Sequence, residues 1–338
     1  MQTITREITA PVRLCGPSGE LNPDAEGWSR HPYHIDNMRG RPLRKKRWEY
    51  WCVTGEKFCF SVTIAHVDYF GFCTAYLLEY ETGEFAETTG VRVFPRTPRM
   101  PAREAENVCC RRRSLACSVE KGAEEVRIRA EAPRFGGKPM KADIQIGRPQ
   151  AHETLNVLVP WDRRTFQFTS KQQCLPATGT VVWGGRELVF EAGTSFACLD
   201  YGRGIWPYRT NWNWAAFSGV SGEDVIGVNL GAQWTGGTGM TENGIVVNGR
   251  LHKVFDDVQV DYDSNDFMRP WRLRTVDTGE IDLELTPFYD RYSAMNLLLL
   301  RAATHQCFGR FRGVLRPGGQ EIPVDNVVGW AEDVRMRW

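Results

Sequence analysis

Along most of the chain apolar and polar residues alternate with a period of two, and Gly, Asn or Asp breaks the alternation at intervals of roughly ten residues. That pattern predicts antiparallel strands joined by tight turns, hence an all-β protein with few short helices. Phe58-Cys59-Phe60-Ser61-Val62-Thr63-Ile64 reads as one strand and Thr74 to Tyr80 as the next, with Thr82-Gly83 turning into Glu84-Phe85-Ala86-Glu87. Leu115 to Glu120, the Lys121-Gly122 turn and Val126 to Ala130 form a hairpin. Thr180 to Trp183 and Arg186 to Glu191 flank Gly184-Gly185, and Ile245 to Val247 and Arg250 to Val254 flank Asn248-Gly249, a pair suited to a type I′ turn. Tyr292 to Arg301 fits either a short helix or a buried strand.

A looser pattern occurs twice. Trp48 and Trp51 precede Gly55-Glu56-Lys57 and then Thr82-Gly83, while Trp212 and Trp214 precede Gly222-Glu223-Asp224 and then Asn248-Gly249. From Gly55 to Gly83 is 28 residues and from Gly222 to Gly249 is 27, so the same hairpin arithmetic serves both halves. Two consecutive β modules are expected, residues 1–165 and 166–338, with the junction somewhere in 150–180. A length of 338 residues suits two modules of about 150 each.

Forty-two Lys and Arg against forty-one Asp and Glu leave a net charge of +1, so no global field draws in nucleic acid or an anionic membrane. Arg44-Lys45-Lys46-Arg47 and Arg111-Arg112-Arg113 are local basic runs, read as solvated strand ends or faces. The N-terminal segment lacks the apolar stretch of a secretory signal and no eighteen apolar residues run together, which predicts a soluble, cytoplasmic protein without a transmembrane segment. Ten cysteines form no C-x-x-C pair. Cys52, Cys59, Cys73, Cys117 and Cys198 fall in strand-like runs as small buried hydrophobes, and the adjacent Cys109 and Cys110 receive no role. Asp261-Tyr-Asp263-Ser-Asn265-Asp266 opens like a calcium loop, but Asp266 stands where Gly is needed and Arg272 where a bidentate Glu belongs, so no metal site is expected.

Several stretches carry a family resemblance: Gly27-Trp28-Ser29-Arg30-His31-Pro32, Asn37 through Trp51, Thr169-Ser170-Lys171-Gln172, Asp200 to Trp214, Gly239-Met240-Thr241-Glu242-Asn243-Gly244, Leu285-Thr286-Pro287-Phe288, and Phe308-Gly309-Arg310-Phe311 through Trp330-Ala331-Glu332-Asp333. Spread over nearly the whole chain, they resemble the bacterial domain-of-unknown-function family 2804. The two-part plan and the closing Gly-x-Ala-Glu-Asp pattern are more distantly similar to tandem lipocalin-like (calycin) hydratases and cyclases such as carotenoid hydratase and tocopherol cyclase. That resemblance implies two consecutive lipocalin-like antiparallel β-barrels or curved β-sandwiches, with an apolar, often isoprenoid, ligand held in one of them.

Residues 200–214 hold three of the twelve tryptophans among two arginines, an aspartate and two asparagines. Aromatic surface gains roughly 1.5–3 kcal/mol per ring on leaving water, and an unpaired charge buried with it cancels that gain. The segment therefore reads as the wall of a pocket in the second module. Asp200 is its carboxyl, Trp206, Tyr208, Trp212 and Trp214 are its aromatic faces, and Arg203 or Arg209 orients the acid or binds a polar group; Trp51 is the counterpart in the first module. The alternative is that the arginines pair with buried carboxylates and the tryptophans fill a barrel end. The Gly-rich run Gly231 to Gly244 lacks the Lys and Ser/Thr of a phosphate loop and reads as a flexible loop at a barrel mouth. Glu242 and Asn243 enter the next strand, where desolvation would raise the Glu242 carboxyl, unless it is an ordinary loop-end carboxylate.

His66, followed by Asp68 and Tyr69, and His252 are candidate proton relays, weighed against hydrogen-bonded structural roles. The leading expectation is a cofactor-independent hydratase, cyclase or isomerase acting on a hydrophobic small molecule, with Asp200 and Glu242 as acid and base. A lipocalin-like carrier is the second reading, and a carbohydrate-binding or glycoside-cleaving protein the third.

Overall fold

The computed structural model describes residues 3–94, 98–297 and 300–337. Strands take up 62% of the chain and helix 2%, so the cores are built by sheets alone, one curled into a nearly closed barrel and the other into a half-barrel. Among the described residues the strand pairs of the two main sheets are antiparallel, as the period-two alternation suggests, and a separate short pair, Val12–Arg13 with His34–Ile35, is parallel. The segment from Tyr292 is strand: Ile281–Leu297 and Leu300–Leu315 form one long hairpin.

The repeated glycines mark a real topological match. In the first sheet Lys45–Thr54, Phe58–His66, Phe70–Glu79 and Phe85–Val93 form a four-strand meander, with Gly55 in its first turn and Gly83 in its last. In the second, Arg209–Ser221, Asp224–Ala232, Asn243–Val247 and Arg250–Val254 repeat it, with Gly222 and Gly249 at the corresponding turns. Asn248 and Gly249 both have positive φ, 49° and 79°, as a type I′ turn demands. In each sheet the first meander strand then pairs with a late strand, Phe196–Ile205 in the first and Ile322–Arg337 in the second. Those strands pair in turn with Phe166–Trp183 and Leu300–Leu315.

This pairing moves the expected junction. Phe166–Trp183 and Phe196–Ile205 belong to the first sheet, so the sheets change between Ile205 and Arg209 and not at residue 165. Their pairing partners lie in the 45–54 and 138–147 strands, and a cut at 165 would strip two strands from the middle of that sheet. The 200–214 segment is accordingly a crossover: Asp200 to Ile205 closes one sheet and Arg209 to Trp214 opens the next.

Four apolar clusters result. One fills the first barrel, around Trp51, Phe60, Phe168 and Tyr201, and one the second, around Phe217, Trp271 and Phe311. The other two lie between the sheets, around Trp206 and Trp234 on one side and Tyr76, Trp214 and Trp330 on the other. All ten cysteines are free, and all but Cys109 are buried.

Candidate active site

Strand parity builds the site. Lys171, Asp200, Tyr50, Thr63 and Thr74 pair successively across the first sheet, so they share one face. Trp214, Glu332, Gln306 and Arg291 do the same across the second. The two rows meet at a cavity of about 590 Å³ that lies between the sheets rather than inside either barrel. The cavity thus draws its walls from both sheets, where the sequence reading expects a pocket in the second module.

At the buried end Lys171 binds two carboxylates at once, with Nζ 3.1 Å from Asp200 Oδ1 and 3.3 Å from Glu242 Oε2. Its ammonium also lies 4.4 Å from the centre of the Trp214 ring. Burial alone would lower the Lys171 pKa, but the Asp200 and Glu242 charges outweigh it and hold the group above its usual range. Asp200 accepts a further hydrogen bond from Thr169 Oγ1 at 3.1 Å, and Trp234 Nε1 donates to Glu242 Oε1 at 2.6 Å. Burial pushes the Glu242 carboxyl up, Lys171 opposes this, and the Asp200 charge adds to it. Gly231 exists for this carboxyl: a Cβ there would overlap it.

Glu332 sits in the second sheet's wall, and among the described residues no Lys, Arg or His forms an ion pair with it. Gln306 Nε2 donates to its Oε1 at 2.8 Å. Arg291, which can only donate, lies 3.3 Å from Gln306 Oε1, and this fixes which way the amide faces. The same oxygen accepts from Tyr76 at 3.2 Å, and Tyr76 and Tyr50 share a hydrogen bond of 2.7 Å. Arg291 itself is held by Glu87 at 2.6 Å. Burial pushes the Glu332 carboxyl up to about 8; Lys171 and Arg291 oppose this in part, and Asp200 adds to it. A carboxylic acid that keeps its proton at neutral pH therefore faces the cavity.

The remaining wall is aromatic. Trp206 stacks on Trp234 at 5.4 Å and lies 5.9 Å from Trp48 and 5.6 Å from Trp212. Its Nε1 donates to Gln167 Oε1 at 2.7 Å, which satisfies the polar tip inside an apolar cluster. Trp48 lies against Gly202, where any side chain would collide with the ring. Ala65, Val67, Phe70, Phe72 and Val91 extend this surface toward solvent.

Of the residues singled out by sequence, Asp200, Glu242, Trp206, Trp212 and Trp214 line this cavity. Arg203 does not, because it lies three positions on from Asp200, an odd offset, and the strand turns it to the other face. It is fully buried in the first barrel, with NH2 3.4 Å from Glu49 and its guanidinium 3.6 Å from the Tyr201 ring. Trp51 is turned away from Trp48 and Tyr50 by the same parity and packs in that barrel's core. His66 opens onto a second cavity, of about 490 Å³, beside Asp36, Arg47 and Met100. His252 pairs with Glu280 at 2.5 Å at the surface of the second sheet, remote in chain pairing from the cavity rows. Asn243 is buried as a backbone clamp, accepting from Gly231 N and donating to Asp256 O. Tyr208 and Arg209 are exposed at the rim, where Arg337 donates to the Tyr208 hydroxyl at 2.9 Å. The Gly-rich run is no flexible mouth: Trp234, Thr238, Met240 and Glu242 are buried, and Gly239 O accepts from Ile4 N.

Glu332, Lys171, Gln306 and Trp234 were not picked out as candidates. Glu332 lies in the closing Trp330-Ala331-Glu332-Asp333 run, where a carboxyl amid apolar neighbours was the available signal. Among the described residues no group of three or more His, Cys, Asp or Glu side chains is placed to hold a metal ion. No helix among them is long and apolar enough to cross a membrane.

No curated protein matches the sequence. Among solved structures, a Nitrosomonas europaea protein provisionally called ATTH superposes with a TM-score of 0.51 at 12% identity, covering 86% of this chain and 92% of its own. Kievitone hydratase from Nectria haematococca gives 0.46 at 14% identity, over 88% and 90%. The first shares the fold. Over residues 5–338 the sequence matches the family described as Domain of unknown function (DUF2804), and the chain belongs to it.

Proposed function

We propose that the protein is a cofactor-independent hydratase, cyclase or isomerase that works by acid/base chemistry on a hydrophobic, possibly isoprenoid, small molecule. The observation that carries this reading is Glu332: a buried carboxyl raised to about 8 in the wall of an aromatic cavity, opposite the Asp200 carboxylate. Glu332 gives its proton to one carbon of a double bond, whose π pair becomes the new C–H bond. Positive charge develops on the neighbouring carbon against the Trp206 and Trp212 faces. In hydration a water then adds and passes a proton to Asp200; in isomerisation an adjacent C–H gives up its proton there instead. One proton leaves Glu332 and one arrives at Asp200, so exchange with solvent resets the pair. Positioned acids of this kind contribute about 10²–10⁴-fold.

The test is deuterium uptake. The protein is incubated in D2O with a panel of isoprenoid alkenols and the products are read by mass spectrometry, while quenching of the cavity tryptophans reports binding. Deuterium incorporation by the wild type that is lost in Glu332→Gln, with quenching retained, supports the reading; quenching without incorporation by either protein overturns it. A carrier is the second reading, favoured by the engagement of both Asp200 and Glu242 with Lys171. Sugar recognition is disfavoured because Trp206, Trp214 and Trp234 are buried rather than offered in an open cleft.

A further inference from the structure

The rim of the cavity differs from the rest of the surface. Val91 lines the cavity and is 55% exposed, so the apolar wall continues outward without a break. Beside it Val93 pairs with Phe70, and Phe94 donates its N–H to the carbonyl of Tyr69; Phe70 and Tyr69 also line the cavity. Phe94 is 71% exposed. Leu43, 52% exposed, precedes Arg44, whose backbone N–H binds Asp68 next to Tyr69 and whose side chain binds Trp206 O. Leu43 and Phe94 both have left-handed backbones, with φ of 67° and 47°. Bulky residues rarely adopt that conformation, and here it holds two large apolar side chains out in water.

Basic residues border the same cavity as Val91. Arg209, Arg337 and Arg301 are consecutive cross-strand partners at the end of the second sheet, and Arg301 and Arg337 border the cavity. Like charges directly opposite one another on a sheet repel. No carboxylate among the described residues pairs with any of the three. The neighbouring acid, Asp68, is engaged by Lys45 at 3.1 Å. The rim therefore carries local positive charge although the whole chain has a net charge of only +1.

We infer that this rim docks on the surface of a lipid bilayer bearing anionic headgroups, with Leu43, Val91, Val93 and Phe94 entering the interface and the arginines meeting the headgroups. Apolar insertion with local basic charge is the recognised physics of interfacial binding. Continuity of the apolar rim with the cavity gives the docking a purpose, because a lipophilic ligand dissolves in the bilayer and enters from it. The inference rests on the cavity being the ligand site.

Co-sedimentation with phosphatidylcholine vesicles, with and without phosphatidylglycerol, tests it. The wild type is expected to bind the phosphatidylglycerol vesicles, less so at high salt, and to bind pure phosphatidylcholine weakly. Arg301→Gln with Arg337→Gln is expected to weaken binding roughly fivefold for each arginine removed. Leu43→Ser with Phe94→Ser is expected to weaken binding to both kinds of vesicle. Arg312→Gln, at an exposed ion pair with Asp325 elsewhere on the same sheet, is the charge control and keeps wild-type binding. Wild-type protein that stays in the supernatant, or rim variants that bind as the wild type does, overturn the inference. So does a wild-type dimer in sedimentation velocity that the Leu43/Phe94 variant dissociates, which would assign the rim to a second copy. If vesicle binding fails while detergent-dispersed alkenols still take up deuterium, only the docking is lost.

Discussion

The two modules place one carboxyl each at matching points of matching strands, and they treat it differently. In the first, Asp200 on the late strand lies between Tyr50 and Lys171. In the second, Glu332 on the equivalent strand lies between Trp214 and Gln306. A lysine ammonium beside one and a neutral amide beside the other is the main chemical difference between the rows. The comparison teaches that burial raises a carboxyl such as Glu332 and that the cross-strand neighbour, a lysine in one row and an amide in the other, offsets that rise or leaves it standing.

The largest effect is expected from breaking the first row. Lys171→Met strands Asp200 and Glu242 without their common cation and should cost about 3–5 kcal/mol in urea unfolding at neutral pH. The loss should shrink as the pH falls and the stranded carboxylates take up protons. Next, Gln306→Lys gives the second row the cation of the first. Carboxyl ¹³C NMR should then show Glu332 titrating about one to three pH units lower, and any deuterium uptake should fall with it. An unchanged titration would mean that the cross-strand neighbour is not what sets it.

Glu332→Gln sharpens the same contrast through stability. Raised from 4.5 to about 8, chiefly by burial, Glu332 holds its proton more tightly in the folded state than in the unfolded one. Its contribution is therefore complete below about pH 4.5 and is lost as the pH rises through 8. Denaturation midpoints of the variant should be flatter than those of the wild type across that window. The smallest effect is local: Gly231→Ala drives a methyl into the Glu242 carboxyl and should cost about 1–3 kcal/mol, read as a lowered urea midpoint.

The sheets were legible in the sequence because alternation and turn glycines are local signals. Gly83 and Gly249 end matching meanders, and Asn248-Gly249 has the backbone its residue types demand. The site was half legible. Asp200 and the tryptophans stood out as a costly mixture, but period two also places Asp200 and Arg203 on opposite faces, as it does Trp48 and Trp51. Applying that parity would have removed Arg203 and Trp51. What alternation could not say is which face meets the other sheet, because both faces of these central strands are buried. Lys171 and Glu332 depend on that long-range packing, and no spacing along the chain brings them together.

Matching strands that confront each other across the cavity also set a direction for any reaction there. On the proposed mechanism Glu332 gives its proton from the second sheet and Asp200 takes one up on the first, so a double bond held between them is attacked from one face and relieved or hydrated from the other. Addition should then be anti, and a product carrying deuterium and hydroxyl on opposite faces would show it.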